Sequence, residues 1–282
     1  MIFLAFFTLS GCAKYKLKNL EVPTATELFD AYDQKTGSAN QEWSNIHYIG
    51  RMEMPLMNVS MPLEMWVIKD GGILTTYDMP NVGIGGQGYD LNNAWALDPI
   101  KGDRLLEGAE KDSVIYEYQS ILVDTYAELY KDSKVVKLDS IEDESVWLVE
   151  AIGTFNNQPA KLFFSVESGM LVAEYKSIPS GKGSVQTKMF YENYSKIEGT
   201  EMLVPSTTRL KVMGMTQMLY FDQFEIDVPN PPKIQPPESI RQFLSEDVQS
   251  APNSETSENL QEETQEETQE ETQEETQEET QE

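Results

Sequence analysis

The spacing of hydrophobic residues near the beginning of the chain is that of a helix. After Thr24, apolar side chains recur at three- and four-residue intervals, at Leu28, Phe29, Ala31 and Tyr32. Thr24 and Glu27 have the spacing of a capping box, and Gly37 is typical of the position that follows a helix. The pattern therefore predicts a helix over residues 24–37, followed by a short second helix over residues 38–44.

Beyond residue 44 the hydrophobic period falls to two, which is the spacing of strands with one buried face. Arg51 and Glu53 alternate with Met52 and Met54. The next run carries four apolar side chains on one face, at Met61, Leu63, Met65 and Val67. Further strands are predicted over residues 73–77, 89–97, 135–138, 146–152, 161–166, 170–175, 187–194, 206–213 and 216–226. One helical interruption is predicted over residues 114–129, where apolar side chains again recur at helical spacing.

The order of these elements predicts a protein that is mainly β with helices, of the α+β class. Sequential strands joined by short turns fold as an antiparallel meander. A meander with few helices either closes as a barrel or curls around a helix that fills its concave side.

A glycine-rich run at residues 83–88, Gly-Ile-Gly-Gly-Gln-Gly, formally matches the dinucleotide-binding fingerprint. That fingerprint works only where a helix follows, because the helix N-terminus meets the pyrophosphate. Strand and turn residues follow here, from Tyr89 to Trp95. We therefore interpret the run as a mobile glycine loop between strands.

The first eleven residues form an apolar run that is typical of an export signal. The run is too short to cross a hydrocarbon core, which takes about 20 residues. Leu9-Ser10-Gly11-Cys12 resembles a bacterial lipobox, in which the cysteine receives diacylglycerol and becomes the mature N-terminus. The sequence therefore predicts a signal peptide over residues 1–11, lipidation of Cys12 and a lipidated tether over residues 12–23.

The residue after the cysteine bears on the membrane to which such a lipoprotein is sorted. Ala13 stands there instead of Asp, which by resemblance to the known sorting rule favours the periplasmic side of the outer membrane. No Lys or Arg precedes the apolar run, although export signals carry a basic start. One interpretation is an incomplete signal with an upstream start codon. The alternative to lipidation is a soluble protein with a free thiol.

Composition divides the rest of the chain. The net charge is −27, and 13 Glu without any Lys or Arg lie after Gln249, which leaves −14 for residues 1–249. Residues 250–282, which end in Gln-Glu-Glu-Thr repeats, are expected to be disordered, either as a cation-binding or brush-like tail or as a solvated spacer. The globular domain is predicted over residues 24–228. Residues 229–249 form a Pro-rich linker and a short amphipathic segment, which either docks back on the domain or stays loose.

The inventory of reactive side chains argues against an enzyme. His47 is the only histidine and Cys12 the only cysteine, so a catalytic triad or a zinc site would rest on a single unpartnered side chain. We interpret His47 as structural and predict no cofactor and no metal. The acidic balance also argues against nucleic acid as a partner.

Methionines are concentrated in the first strands. Six of the 13 fall between Met52 and Met79. Met side chains adapt to variable apolar shapes, so the face that they share is either plain core or the wall of a cavity for acyl chains. The predicted wall residues are Met52, Met54, Met61, Leu63 and Met65, with Trp95 as a lesser candidate.

Three motifs resemble one known family. Residues 94–110 are similar to the Trp-x-x-Asp-Pro…Gly-x-Arg-x-Leu-x-Gly-x-Glu block of outer-membrane lipoprotein-sorting proteins, the LolA/LolB-like superfamily. Residues 163–171 resemble that superfamily's Tyr-Phe-Asp-x-x-Thr-Gly-Leu-Leu turn, and residues 199–209 its Gly-x-x-Leu-Pro-x-x-x-Arg segment. The superfamily's lid-controlling arginine has no counterpart that we can identify in this chain.

The resemblance implies an incomplete antiparallel β-barrel whose apolar concave face is plugged by helices. It also implies a protein that binds lipid or the acyl chains of lipoproteins, in lipoprotein sorting or lipid transfer. The alternative hypothesis is a structural lipoprotein that uses the same fold as a scaffold for another envelope protein, with the acidic tail as a docking arm.

Overall fold

The computed structural model describes residues 21–37, 42–180, 183–242 and 244. The predicted signal peptide, Cys12, most of the tether and the acidic tail lie outside the described residues, as do positions 38–41 of the predicted second helix. The chain divides into one unit from Met1 to Ile240 and a second from Arg241 to Glu282. Among the described residues, no helix has both the length and the apolar character that crossing a membrane requires.

The first predicted helix is confirmed as α1 (Ala25–Thr36). Its capping box is formed, because the Glu27 backbone N–H donates to the Thr24 hydroxyl at 3.2 Å and the Thr24 N–H donates to the Glu27 carboxylate at 2.7 Å. Gly37 ends the helix in the left-handed region, at φ 69°, where a Cβ would be strained. The helix buries Leu28 and Phe29.

The described part of the chain forms a single sheet of thirteen strands, each antiparallel to its neighbours. The strands are β1 (Asn45–Met54), β2 (Val59–Ile68), β3 (Gly72–Met79), β4 (Gly83–Tyr89), β5 (Ala94–Leu97), β6 (Arg104–Leu105), β7 (Tyr130–Ile141), β8 (Glu144–Gly153), β9 (Pro159–Ser165), β10 (Leu171–Ser180), β11 (Gly183–Lys196), β12 (Leu203–Val212) and β13 (Met215–Ile226). Their spatial order is β6-β5-β4-β3-β2-β1-β13-β12-β11-β10-β9-β8-β7. Because β6 and β7 remain at opposite ends of this order, the sheet is an open, incomplete barrel, as predicted.

Two helices cover the concave face of the sheet. Helix α1 packs on the β7–β10 half, where Phe29 joins a core with Val149 and Phe164. The second helix, α2 (Gly108–Leu122), packs on the β1–β5 half, where Val114 joins a core with Val67. The fold predicted from the sequence, mainly antiparallel β with helices on the concave face, is confirmed.

The helix predicted over residues 114–129 begins and ends earlier in the structure. Helix α2 begins at Gly108 and ends at Leu122, and Tyr126–Leu129 form a separate 3-10 turn. Its first turn is mostly polar, so apolar periodicity gives no signal there. After α2 the backbone N–H of Tyr126 donates to the Asp33 carboxylate at 2.9 Å, a tertiary contact that local patterning does not contain.

The glycine-rich run is not a loop. It forms β4, and two of its glycines, Gly85 and Gly88, are required there because neighbouring rings occupy the space of their side chains. A Cβ on Gly85 would lie 2.6 Å from Cε2 of Tyr77 on the adjacent strand. The single strand predicted over residues 89–97 is also two strands, separated by a turn in which Asp90 accepts from the Asn93 N–H at 2.7 Å.

The residues after β13, as far as Ile240, belong to the first unit and are packed within it. Ile234 and Ile240 are buried, at 4% and 3% exposure. The Ser239 hydroxyl donates to the Asp103 carboxylate at 2.9 Å, which fixes this segment beside β6. Of the apolar residues of the predicted amphipathic segment, Ile240 is thus packed in the first unit, whereas Phe243 and Val248 lie outside the described residues.

Candidate functional site

Two adjoining cavities lie between the concave face of the sheet and the helices. The central cavity, of about 420 Å³, is bounded by α1, α2 and strands from both halves of the sheet. The edge cavity, of about 350 Å³, is bounded by α2, the ends of β10 and β12 and the turn after β8. Each volume is within the range of small-molecule sites. The two cavities share five lining residues, which we call the shared wall: Tyr116, Glu117, Ser120, Lys176 and Met189.

The wall of the central cavity is rich in aromatic side chains. Tyr48 of β1 packs edge-on against Phe221 and Phe224 of β13, with ring centroids 5.6 and 5.0 Å apart. Tyr32 of α1 closes the other side. Burial raises the pKa of both Tyr32 and Tyr48 to about 12, so these hydroxyls stay protonated at physiological pH. The cavity therefore offers apolar ring surface with a few neutral polar atoms.

The edge cavity is lined mainly by aliphatic side chains on its sheet side. Ile178 of β10 lies opposite Leu210 and Val212 of β12, and Met189 of β11 lies between these strands. Such a surface binds hydrocarbon by removing it from water, at about 25 cal/mol per Å² of apolar surface. The two cavities therefore offer apolar surface on both sides of the shared wall.

A buried ion pair interrupts this apolar surface. Lys176 Nζ lies 3.4 Å from Glu174 Oε1, and both side chains are largely buried, at 16% and 4% exposure. The Glu174 carboxylate also accepts hydrogen bonds from the hydroxyls of Tyr130 and Tyr191, at 2.6 and 2.8 Å. Burial opposes the charged form of Lys176, but the Glu174 carboxylate, together with Tyr116 and Glu117, outweighs it and raises the pKa of Lys176 above its ordinary value.

Glu117 adds a second carboxyl group to the shared wall. Its Oε2 accepts a hydrogen bond of 2.7 Å from the Gln87 side-chain amide on β4. Burial raises the pKa of Glu117 above its ordinary value, although Lys176 and Gln87 act in the opposite direction. The shared wall thus combines one cation with a carboxyl group that holds its proton more readily than an exposed glutamate does.

The residues predicted from the sequence to form the cavity wall differ in their positions relative to the two cavities. Met65 lines the central cavity. Met52, Met61 and Leu63 are buried and Met54 is half-buried, but none of them lines either cavity. Trp95 is buried on the strand face opposite to that of Ala94, whose side chain packs in the α2 core. Of the six proposed positions, Met65 is the one that lines either of these two cavities.

Sequence reasoning missed the shared wall and the ion pair. Tyr116, Glu117 and Ser120 lie in the part of α2 that was recognised as helical, and Lys176 lies on β10. Alternation did contain one signal, because Glu174, Lys176 and Ile178 occupy one face of a strand whose other face carries the buried Ala173. That two charged residues at such positions point inward can be predicted only when the cavity between the sheet and the helix is known.

His47 lies on the convex face, away from both cavities. Its Nε2 is 2.9 Å from Glu64 Oε1 and its Nδ1 is 2.9 Å from Glu225 Oε2. The imidazole stacks on the Trp66 indole with ring centroids 3.8 Å apart. These contacts connect β1 to both neighbouring strands, which agrees with a structural role.

Comparison with known proteins bears on the fold. No protein-family model matches the chain, and no curated protein matches its sequence. Among solved structures, a LolA superfamily protein from Nitrosomonas europaea matches with a TM-score of 0.50 at 14% identity, over 76% of this chain and 99% of that one. An outer membrane lipoprotein-sorting domain from Vibrio parahaemolyticus matches with a TM-score of 0.49 at 12% identity, over 71% and 92% of the two chains.

The first of these matches agrees with the architecture found here. Almost the whole of the Nitrosomonas chain aligns with this one, although few residues are identical. The open antiparallel sheet with helices on its concave face is the arrangement that the three sequence motifs implied. The chain therefore has the LolA/LolB-like fold.

Proposed function

We propose that this protein is an envelope lipoprotein that binds the acyl chains of lipids or lipoproteins in its two cavities, in lipoprotein sorting or lipid transfer. The observation that carries the proposal is the pair of adjoining cavities on the concave face, walled by aromatic and aliphatic side chains. The LolA/LolB-like fold supports it, because the resemblance implies binding of hydrophobic ligands on that face. In this proposal the protein is a binding protein and not an enzyme.

The membrane anchor in this proposal is lipid on Cys12, with the domain on the periplasmic side of the outer membrane. The support for it is the lipobox-like sequence Leu9-Ser10-Gly11-Cys12. Metabolic labelling with a radioactive fatty acid tests this part directly. Label is expected in the full-length chain and not in a Cys12→Ser variant, and an unlabelled wild-type chain would contradict lipidation.

Exposed apolar turns support a membrane-facing edge. Leu56, Ile100 and Met213 are 79%, 75% and 78% exposed, and they lie in the β1–β2, β5–β6 and β12–β13 turns. Because the strands are antiparallel neighbours, these turns occur at one edge of the sheet. The turn after β8, which contributes Asn156 to the edge cavity, is at the same edge. Lipid leaving a membrane at this edge would have a short path to the cavity.

The binding site itself is tested by filling it. Met189 lies in the shared wall, so Met189→Trp is expected to lower the affinity for a fluorescent fatty acid at least tenfold. Met215→Trp adds the same bulk at a half-exposed position outside both cavities and is expected to change nothing. Circular dichroism checks that both variants fold, and Leu210→Trp provides a second obstruction of the edge cavity. Unchanged binding by both obstructed variants would contradict this site.

A further inference from the structure

The polar groups of the shared wall are arranged to recognise one end of a ligand, an inference that rests on the proposed function. Lys176 Nζ carries three donors. Among the described residues its contacts are the Glu174 carboxylate at 3.4 Å and the Tyr116 ring, whose centroid is 5.2 Å away. Lys176 also lines both cavities. Lys176 is therefore positioned to donate to an oxygen atom of a ligand that lies along the shared wall.

The charges around Lys176 restrict which oxygen this is. Glu174 already neutralises the lysine, and Glu117 lines the same wall. A free carboxylate placed there would be a further anion beside one cation, with little water to screen it, and buried charge without a partner is costly. An ester carbonyl accepts a hydrogen bond from Lys176 without adding charge.

We propose that the shared wall selects uncharged acyl esters, such as acylglycerols, over free fatty acids, with Lys176 donating to the ester carbonyl and Glu174, which already neutralises that lysine, excluding the carboxylate. The acyl chain then lies along the aromatic and aliphatic surfaces of the two cavities. Glyceride-linked chains of a membrane lipid or a lipoprotein both present this chemistry.

Competition binding with the full-length chain tests the selection. An uncharged fluorescent probe, N-phenyl-1-naphthylamine, is displaced at pH 8 by methyl palmitate or by palmitate, which have the same chain and differ in the end group. Wild-type protein is expected to bind methyl palmitate roughly tenfold more tightly, because the palmitate carboxylate would add a charge that Lys176, already paired with Glu174, does not compensate. Palmitate binding as tightly as the ester, or more tightly, would overturn the inference.

Two variants separate the roles of the groups. Lys176→Met is expected to weaken the binding of methyl palmitate roughly tenfold. Lys188→Met, which removes a lysine that lies over the Tyr175 ring, is expected to leave that affinity unchanged. If Lys176→Met fails to fold, the double variant Glu174→Gln/Lys176→Met removes the pair together and is expected to show the same loss. Unchanged ester binding in the folded lysine variant contradicts the inference.

Failure of the inference and failure of the proposed function give different results. If wild-type protein binds the probe, and binds methyl palmitate and palmitate with equal affinity, the cavity binds acyl chains but does not distinguish their end groups. If it binds neither the probe nor either compound, lipid binding itself is wrong, and the selection with it.

Discussion

The indole of Trp95 occupies the space that a side chain on Gly88 would fill. A Cβ built on Gly88 would lie 2.6 Å from Cε2 of Trp95 and closer still to Cζ2, on paired neighbouring strands. Trp95 is in turn almost completely buried, at 1% exposure. The glycine and the tryptophan are therefore one packing unit of the β4–β5 pair.

Replacing Gly88 by alanine is expected to destabilise the fold through this contact. Overpacking of a close-packed site costs about 1–3 kcal/mol, and here the obstacle is a rigid ring. Chemical denaturation of Gly88→Ala measures the loss. In a Trp95→Leu background the same change is expected to cost much less, and equal costs in both backgrounds would show that the ring is not the cause.

The glycine run shows what local sequence can and cannot predict here. The chain after it lacks a helix, which was enough to reject a dinucleotide site, but nothing local distinguishes a mobile loop from a strand. Glycine is required at both positions because a ring on a neighbouring strand fills the space of a side chain: the Tyr77 ring at Gly85 and the Trp95 ring at Gly88. Motifs with their own local geometry, such as the Thr24 capping box, were predictable to the residue.

The buried carboxylate of Glu174 depends on its tyrosine donors. Tyr191→Phe removes one of two hydroxyls that donate to it, at 2.8 Å, and is expected to lower the free energy of unfolding by about 1–3 kcal/mol. Tyr175→Phe is the matched control, because its hydroxyl makes no hydrogen bond within the described residues. Thermal denaturation compares the two, and an equal effect of both changes would argue against this role of Glu174.

Glu117 is expected to make stability depend on pH. Its pKa is raised by burial above the ordinary 4.5, so the folded state holds the proton to a higher pH than the unfolded state does. The free energy of unfolding therefore falls as pH rises from about 4.5 through the raised value, because the folded state binds more protons in that window. Glu117→Gln keeps an acceptor for Gln87 and removes this loss, so the variant is expected to be more stable than wild type at pH 8 and similar at pH 4.

A second glutamate on the same helix is the control for this experiment. The pKa of Glu110 is lowered by its hydrogen bonds from Arg104, so its charged form is favoured in the folded state. Glu110→Gln is therefore expected to bring no gain in stability at pH 8. A melting temperature of Glu117→Gln that follows wild type at every pH would contradict the account of Glu117.

The exposed turns at one edge of the sheet are expected to bind lipid surfaces. Changing Leu56, Ile100 and Met213 to serine removes three large apolar side chains that are mostly in water, so the fold is expected to be unaffected. Co-sedimentation of protein lacking the lipid anchor with phosphatidylcholine vesicles is expected to fall severalfold in the triple variant. A variant with Val136 and Leu138 of β7 changed to serine controls for loss of exposed apolar surface elsewhere.

The candidate site was less predictable than the fold. Alternation placed Met52, Met61 and Met65 correctly on one face of β1 and β2, since Met52 pairs with Met61 in the register found. Which of them borders a cavity depends on where α2 lies over the sheet, and only Met65 does. The ion pair borders a cavity because α2 lies over β10 and brings Glu117 close to Lys176. This is a contact between segments far apart in the sequence, so local patterning does not predict it.

The most direct test of lipid binding is to identify, by mass spectrometry, the lipid that is bound to the purified protein. Full-length protein released gently from membranes, then examined by native mass spectrometry and by mass spectrometry of its organic extract, is expected to contain noncovalent acyl lipid in near-stoichiometric amount, and Met189→Trp much less. Protein that is free of lipid and takes up no fluorescent fatty acid afterwards would contradict the account.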